Sequence, residues 1–89
     1  MRRYVALIHK DPGSDYGVSF PDFPGCITAG STMEEARKMA SEALTGHIEV
    51  MRHAGEAIPV PSDPDKVLAD PENRGAHIAF VEVTGKLRR

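Results

Sequence analysis

Tyr16-Gly17-Val18-Ser19-Phe20, then Pro21-Asp22-Phe23-Pro24-Gly25-Cys26, then Ile27-Thr28-Ala29-Gly30-Ser31-Thr32 sets out a strand, a corner and a helix start in one short stretch. In the first segment Tyr16, Val18 and Phe20 alternate with Gly17 and Ser19, the period of two that marks a half-buried strand. Pro21 and Pro24 carry no backbone N–H and fix φ, while Gly25 supplies a turn, so the ladder ends in a stiff corner. A short third strand, Cys26–Ala29, follows it. Gly30-Ser31-Thr32 then opens a helix. Ser31 with Glu34, or Thr32 with Glu35, has the spacing of a capping box, in which hydroxyl and carboxylate satisfy orphan backbone donors.

Working outward, the helix is predicted from about Thr32 to Ala54. Met33, Ala36, Ala40, Ala43, Leu44, His47, Ile48 and Met51 fall on one stripe, with Arg37, Lys38, Ser41, Glu42, Thr45, Glu49 and Arg52 mostly opposite. Gly55 suits a left-handed C-cap. Gly46, inside the helix, costs about 1 kcal/mol relative to Ala; close packing of helix backbone on the sheet is its expected reason. Upstream, Tyr4–Ile8 is an apolar run closed by Asp11-Pro12-Gly13, a strand predicted to pair antiparallel with Tyr16–Phe20. Downstream, Pro59, Pro61, Pro64 and Pro71 forbid a continuous element, and Asp65–Ala69 has room for one helical turn. His77–Val83 is β-rich with apolar groups on both faces, as expected of a central strand, or of an edge that pairs with a second subunit. The order is β-β-β-α-β. It predicts an α+β fold with a three- to four-stranded, mostly antiparallel sheet and one long helix across one face.

The composition agrees with a single folded domain: 89 residues, 40% hydrophobic and 27% charged. A chain this short buries only about 60–65% of its unfolded surface, so added stability from oligomerisation is in keeping with its size. A formal charge of −2 and a pI near 6.0 argue against a dedicated nucleic-acid binder. Lys86, Arg88 and Arg89 cluster at the end like the start of a linker, while Asp63, Asp65, Asp70 and Glu72 crowd one loop. The lone Cys26 excludes an intramolecular disulfide framework. No apolar run approaches the ~20 residues of a bilayer span. Tyr4–Ile8 is also too short for the core of a signal peptide, and the cytoplasm is the expected location.

The candidate chemistry is sparse. His47 sits on the apolar stripe, His53 in the last helical turn where a cation suits the dipole, and His9 and His77 at strand ends. No His pair has the i, i+4 spacing of a helical zinc site, and no glycine set matches a nucleotide fingerprint, so no metal and no cofactor are expected. A nuclease is the catalytic alternative, since a strand-rich sheet crossed by a helix is similar to the ribonuclease H core. That chemistry needs carboxylates converging on two metal ions. Here Asp11, Asp15 and Asp22 lie in turns, Glu34 and Glu35 serve the helix start, and no strand interior carries an Asp. No catalytic residue is therefore assigned. The Phe20–Cys26 corner has two readings: scaffold with both rings packed inward, or a preordered binding surface that loses little entropy on association.

Taken together, Tyr16–Cys26, Ile27-Thr-Ala-Gly-Ser-Thr-Met-Glu-Glu-Ala36 and the later Gly55-Glu-Ala-Ile-Pro-Val-Pro-Ser62 resemble the signature of HicB-like antitoxins of the HicA/HicB toxin–antitoxin systems. The resemblance covers nearly all of residues 3–83. It implies a degenerate ribonuclease H-like fold without the active-site acids, dimers or higher oligomers, and a HicA-type mRNA interferase toxin whose active site the antitoxin occludes. It also implies a C-terminal DNA-binding domain, beginning where this sequence stops at Lys86-Leu-Arg-Arg89. Residues 1–84 are thus expected to form a toxin-binding domain and 85–89 a basic tail or linker. DNA contact is expected only through a domain outside these 89 residues, the transcription autoregulator being the alternative function. From their chemistry, Asp15, Asp22, Glu34 and Glu35 are expected to complement a basic toxin, and Tyr16 and Phe23 to supply buried contact.

Overall fold

Five consecutive apolar side chains, Tyr4–Ile8, point alternately to opposite sides of a strand, and all five are buried. Both sides of this strand must therefore be covered, and the architecture is the means of doing so. In the computed structural model, which describes residues 2–83, the strand is β1 (Arg2–Lys10). It pairs antiparallel with β2 (Tyr16–Ser19) on one side and β4 (His77–Val83) on the other, and β3 (Ile27–Gly30) adds to β2. The sheet order is β3-β2-β1-β4.

The long helix α1 (Met33–His53) covers one face. Its buried stripe of Ala36, Ala40, Leu44 and Ile48 packs with Tyr4, Ala6, Ile8, Val18, Val81 and Val83 in the main core. The opposite face is closed by a smaller element, α2 (Pro64–Ala69), whose Val67 meets Val5 and Leu7, flanked by Ala76 and Ile78. A single 3₁₀ turn (Pro71–Asn73) leads into β4. α2 owes its start to Asp63, whose Oδ1 accepts from the Asp65 amide at 2.9 Å, and to Pro64, whose missing N–H is harmless in the first turn.

The α+β reading and the four elements β-β-β-α in order agree with the structure. Of the two places expected for His77–Val83, the structure has it at the edge, as β4, and the strand covered on both faces is β1, whose run of apolar residues is the longer. Two expectations need correction. Helical structure after residue 63 begins at Pro64 and not Asp65. Gly46 makes no close contact with the sheet, since a Cβ added there meets nothing within 4 Å. The close approach occurs at Gly30, where an added Cβ would lie 2.4 Å from the Ala36 amide nitrogen. The expected basic tail, residues 85–89, lies outside the described residues.

The helix ends follow their caps. Thr32 Oγ1 accepts from the Glu35 amide at 3.0 Å. At the other end Gly55 has φ +75°, and the Gly55 and Glu56 amides donate to Arg52 and Met51 carbonyls at 3.1 and 2.9 Å, a Schellman arrangement. Two glycine substitutions should therefore act in opposite directions. Gly46→Ala, in an open helix interior, is expected to stabilise by about 0.5–1 kcal/mol. Gly30→Ala pushes a methyl into helix backbone and is expected to destabilise by about 1–3 kcal/mol. Urea unfolding of both variants checks the pair.

Candidate functional site

Antiparallel pairing sorts the six expected partner-binding residues to two ends of the sheet. Tyr16, the first residue of β2, lies opposite Lys10 at the end of β1 and opposite Gly30 at the end of β3. Because Gly30 abuts Ala36, the first turn of α1 stands beside the start of β2. Asp15, Tyr16, Glu34 and Glu35 thus share one end. Asp22 and Phe23 lie in the loop after β2, at the other end, where Ser19 is paired with Ile27.

At the first end Asp15, Glu34 and Glu35 are exposed and Tyr16 is half-buried. The Tyr16 ring packs against the main core and holds the Lys10 ammonium 5.6 Å from its centroid, a cation–π distance. Asp15 follows a turn in which the Ser14 amide donates to the Asp11 carbonyl at 3.0 Å. Glu35 is already committed within the chain. Its Oε1 accepts from the Ser31 amide at 2.6 Å and the Ser31 hydroxyl at 2.7 Å. The capping box is thus closed across two residues, Thr32 taking the Glu35 amide and Glu35 reaching back to Ser31. These hydrogen bonds from the Ser31 backbone and side chain, with nearby Lys38, hold the Glu35 carboxyl below its ordinary value, against a smaller opposing effect of desolvation.

At the second end the loop is built inward. The Phe23 amide donates to the Phe20 carbonyl at 3.1 Å and the Cys26 amide to the Phe23 carbonyl at 3.0 Å, two successive tight turns completed by Gly25 at φ +90°. Phe23 is only 2% exposed. Its ring stands edge-to-face with Tyr4 (centroids 4.9 Å, 69°) and with His47 (5.8 Å, 78°). Phe23 is therefore a core residue in the folded chain, its ring plugging the gap between sheet and helix. Phe20 is buried beside it, and Cys26, 4% exposed, directs its thiol at the Ala43 carbonyl. Burial pushes that thiol's pKa up and keeps it a poor nucleophile.

Asp22 is half-buried and does structural work. Its Oδ2 accepts from the Ser62 amide at 2.9 Å, and its Oδ1 accepts from the Ser62 hydroxyl. Alongside, the Tyr4 hydroxyl donates to the Pro59 carbonyl at 2.5 Å. Together they strap the Pro59–Ser62 segment across the end of the sheet. Sequence reasoning singled out neither Ser62 nor the Tyr4 hydroxyl, because a contact across 40 or 55 residues leaves no local pattern. Among the described residues no three His, Cys, Asp or Glu side chains converge as metal ligands would. No described helix is long and apolar enough to cross a membrane.

The family model described as "HicB_like antitoxin of bacterial toxin-antitoxin system" matches residues 4–88. The chain belongs to this HicB-like antitoxin family. Antitoxin HicB 1 of Photorhabdus laumondii subsp. laumondii is 41% identical over 59 residues, which are 66% of this chain and 38% of that protein. The crystal structure of the Burkholderia pseudomallei antitoxin HicB superposes with a TM-score of 0.90 at 38% identity, covering 98% of this chain and 67% of that one. A chain of a HicA3 and HicB3 toxin–antitoxin complex superposes with a TM-score of 0.76 at 34% identity, covering 92% of this chain and 98% of that chain. The curated relatives are longer proteins: the matched stretch spans 51% of a Haemophilus phage HP1 relative and 44% of antitoxin HicB of Escherichia coli K12.

In this HicB-like chain the capping box gives a pH-dependent term of known sign. Glu35 is depressed in the folded state, so its stabilisation is present above the ordinary carboxyl value of 4.5 and is lost as pH falls through the lower native value. Glu35→Gln is expected to be less stable than the parent at pH 7. The gap should close on acidification below about pH 4, where Glu35 in the parent also takes up its proton. Urea midpoints measured from pH 7 to pH 3 test this. A gap that stays constant across the range contradicts it.

Proposed function

We propose that this chain is the toxin-binding part of an antitoxin that neutralises a HicA-type mRNA interferase by direct binding and occlusion of its active site in the cytoplasm. The observation that carries the reading is the whole-domain likeness to a chain of a HicA3 and HicB3 complex, which spans nearly all of both chains. One feature of this molecule supports it. Its acidic end offers exposed carboxylates on a rigid frame, suited to a basic partner.

The partner surface we assign is the end bearing Asp15, Tyr16 and Glu34. Asp15 and Glu34 are exposed and have no side-chain partner among the described residues. Complementary charge at such positions speeds encounter more than it tightens the final complex. Tyr16, half-buried and braced by Lys10, offers an amphipathic contact that loses little entropy on binding. Glu35 contributes through the cap it completes, and Asp22 through the strap it anchors.

Co-expression with the small toxin gene adjacent to the antitoxin gene tests the reading. The two proteins should co-purify and growth should be restored; loss of both would sink the proposal. The double change Asp15→Lys and Glu34→Lys should leave the far-ultraviolet circular dichroism unchanged. It should slow association roughly tenfold or more at low salt, with the difference shrinking as salt is raised. Unchanged association kinetics would move the interface elsewhere.

A further inference from the structure

No described part of the fold calls for Gly46. It sits in the interior of α1, where glycine is less favourable than alanine, and a Cβ added there meets nothing within 4 Å. Its neighbours on the helix surface give it a setting. Met39, Ala43, Gly46 and Val50 follow one another at intervals of four, three and four, the spacing of a seam that receives a second helix. At ~100° per residue this line lies roughly 110° round the helix from the buried stripe of Ala36, Ala40, Leu44 and Ile48.

Contacts fix which way the seam looks. Gly30 of β3 abuts Ala36, the Cys26 thiol meets the Ala43 carbonyl, and the Phe23 ring meets His47. This flank of α1 therefore overhangs β3 and the corner, whereas Arg37 and Ser41 mark the other flank, beside Phe80 and Val81 of β4. β3 ends the sheet, so no further strand lies beyond the seam. Met39 is half-buried outside the main core, Ala43 is half-buried, Gly46 is exposed and Val50 is 69% exposed. Two larger apolar side chains thus bracket a notch floored by Ala43 and Gly46. Small residues at such a contact let a second helix axis come close.

Charge decides what fills the notch. Glu35, Glu42 and Glu49, all exposed, recur every seventh residue and form a row ~70° farther round, on the solvent side of the seam. Glu42 and Glu49 have no salt bridge among the described residues. Of the two cations between Glu35 and Val50, Arg37 is turned to β4 and Lys38 stands beyond the acidic row. A second copy of the chain would bring the same acids, either set against this row or leaving it unanswered.

We propose that a helix of the basic toxin lies along this seam, with an apolar side chain seated in the Ala43–Gly46 notch and Lys or Arg side chains reaching Glu42 and Glu49. From Met39 to Val50 the seam rises about 16 Å at ~1.5 Å per residue, so three turns of partner helix fill it. The proposal rests on reading the partner as a basic toxin, and it divides the contact in two. Asp15 and Glu34 speed encounter, while the packed seam sets how long the complex lasts.

Gly46→Gln is the test, because it fills the notch with a good helix former at an open, exposed position. In urea the free variant should be at least as stable as the parent. Its complex with the toxin encoded beside the antitoxin gene should nevertheless dissociate at least about tenfold faster, with the association rate within about twofold of the parent's. Ser41→Gln, an exposed change on the opposite flank, should leave both rates as they are. Unchanged dissociation from Gly46→Gln, or an equal effect of Ser41→Gln, would overturn the seam and leave the toxin-binding reading standing. Destabilisation of the free Gly46→Gln chain would place the notch's function inside the fold and overturn the proposal. A change in the free chain's sedimentation with toxin dissociation unaltered would give the seam to a second copy and overturn it too. A parent chain that binds no toxin would overturn both the seam and the reading beneath it.

Discussion

The demand that β1 be buried on both faces governs the structure. Tyr4, Ala6 and Ile8 look toward α1, and Val5 and Leu7 look toward Val67 of α2. One long helix is enough for the first face. The second is left to a six-residue helix in a proline-rich segment, and a chain of this size has little else to spend there. The loops take their form from the same demand. Phe23 fills the space beside Tyr4 and His47, and the Tyr4 hydroxyl in turn holds the Pro59 carbonyl, so a single strand residue anchors both the corner and the strap.

This constraint gives the two ends of the sheet different surfaces. Residues near the strap end are tied down: Phe23 by packing, Asp22 by Ser62, Cys26 by burial. The opposite end is fixed in backbone, through Gly30 against Ala36 and the cap at Thr32, yet leaves Asp15 and Glu34 in solvent. A rigid frame with free charges suits recognition, because binding then orders few groups.

Features governed by local rules were legible in the sequence. The period-two alternation of Tyr16, Val18 and Phe20, the Thr32–Glu35 cap and the stripe through Ala36, Ala40, Leu44 and Ile48 each involve neighbours within a few residues, and each appears as read. What was misread or left open depends on distant pairing. Apolar residues on both faces left β4 either central or at an edge, and only the pairing decides between them: β1 takes the central place and β4 the edge. Gly46 and Gly30 look alike in sequence; only the approach of α1 to β3 tells them apart. Of the six candidate site residues, Asp15, Tyr16 and Glu34 remain available, while Phe23 is taken by the core. A Phe between two prolines has the same sequence signature whether its ring points in or out.

The central claim is that the Phe20–Cys26 loop is scaffold and that the Asp15–Glu34 end meets the partner. Titrating isotope-labelled chain with unlabelled HicA-type toxin, and following backbone amides and the Phe23 ring by nuclear magnetic resonance, tests it most directly. The account expects the largest shifts at Asp15, Tyr16 and Glu34, with the Phe23 ring keeping its free-state contacts to Tyr4 and His47. Loss of those contacts on toxin binding, with the Asp15 and Glu34 amides unmoved, would contradict it.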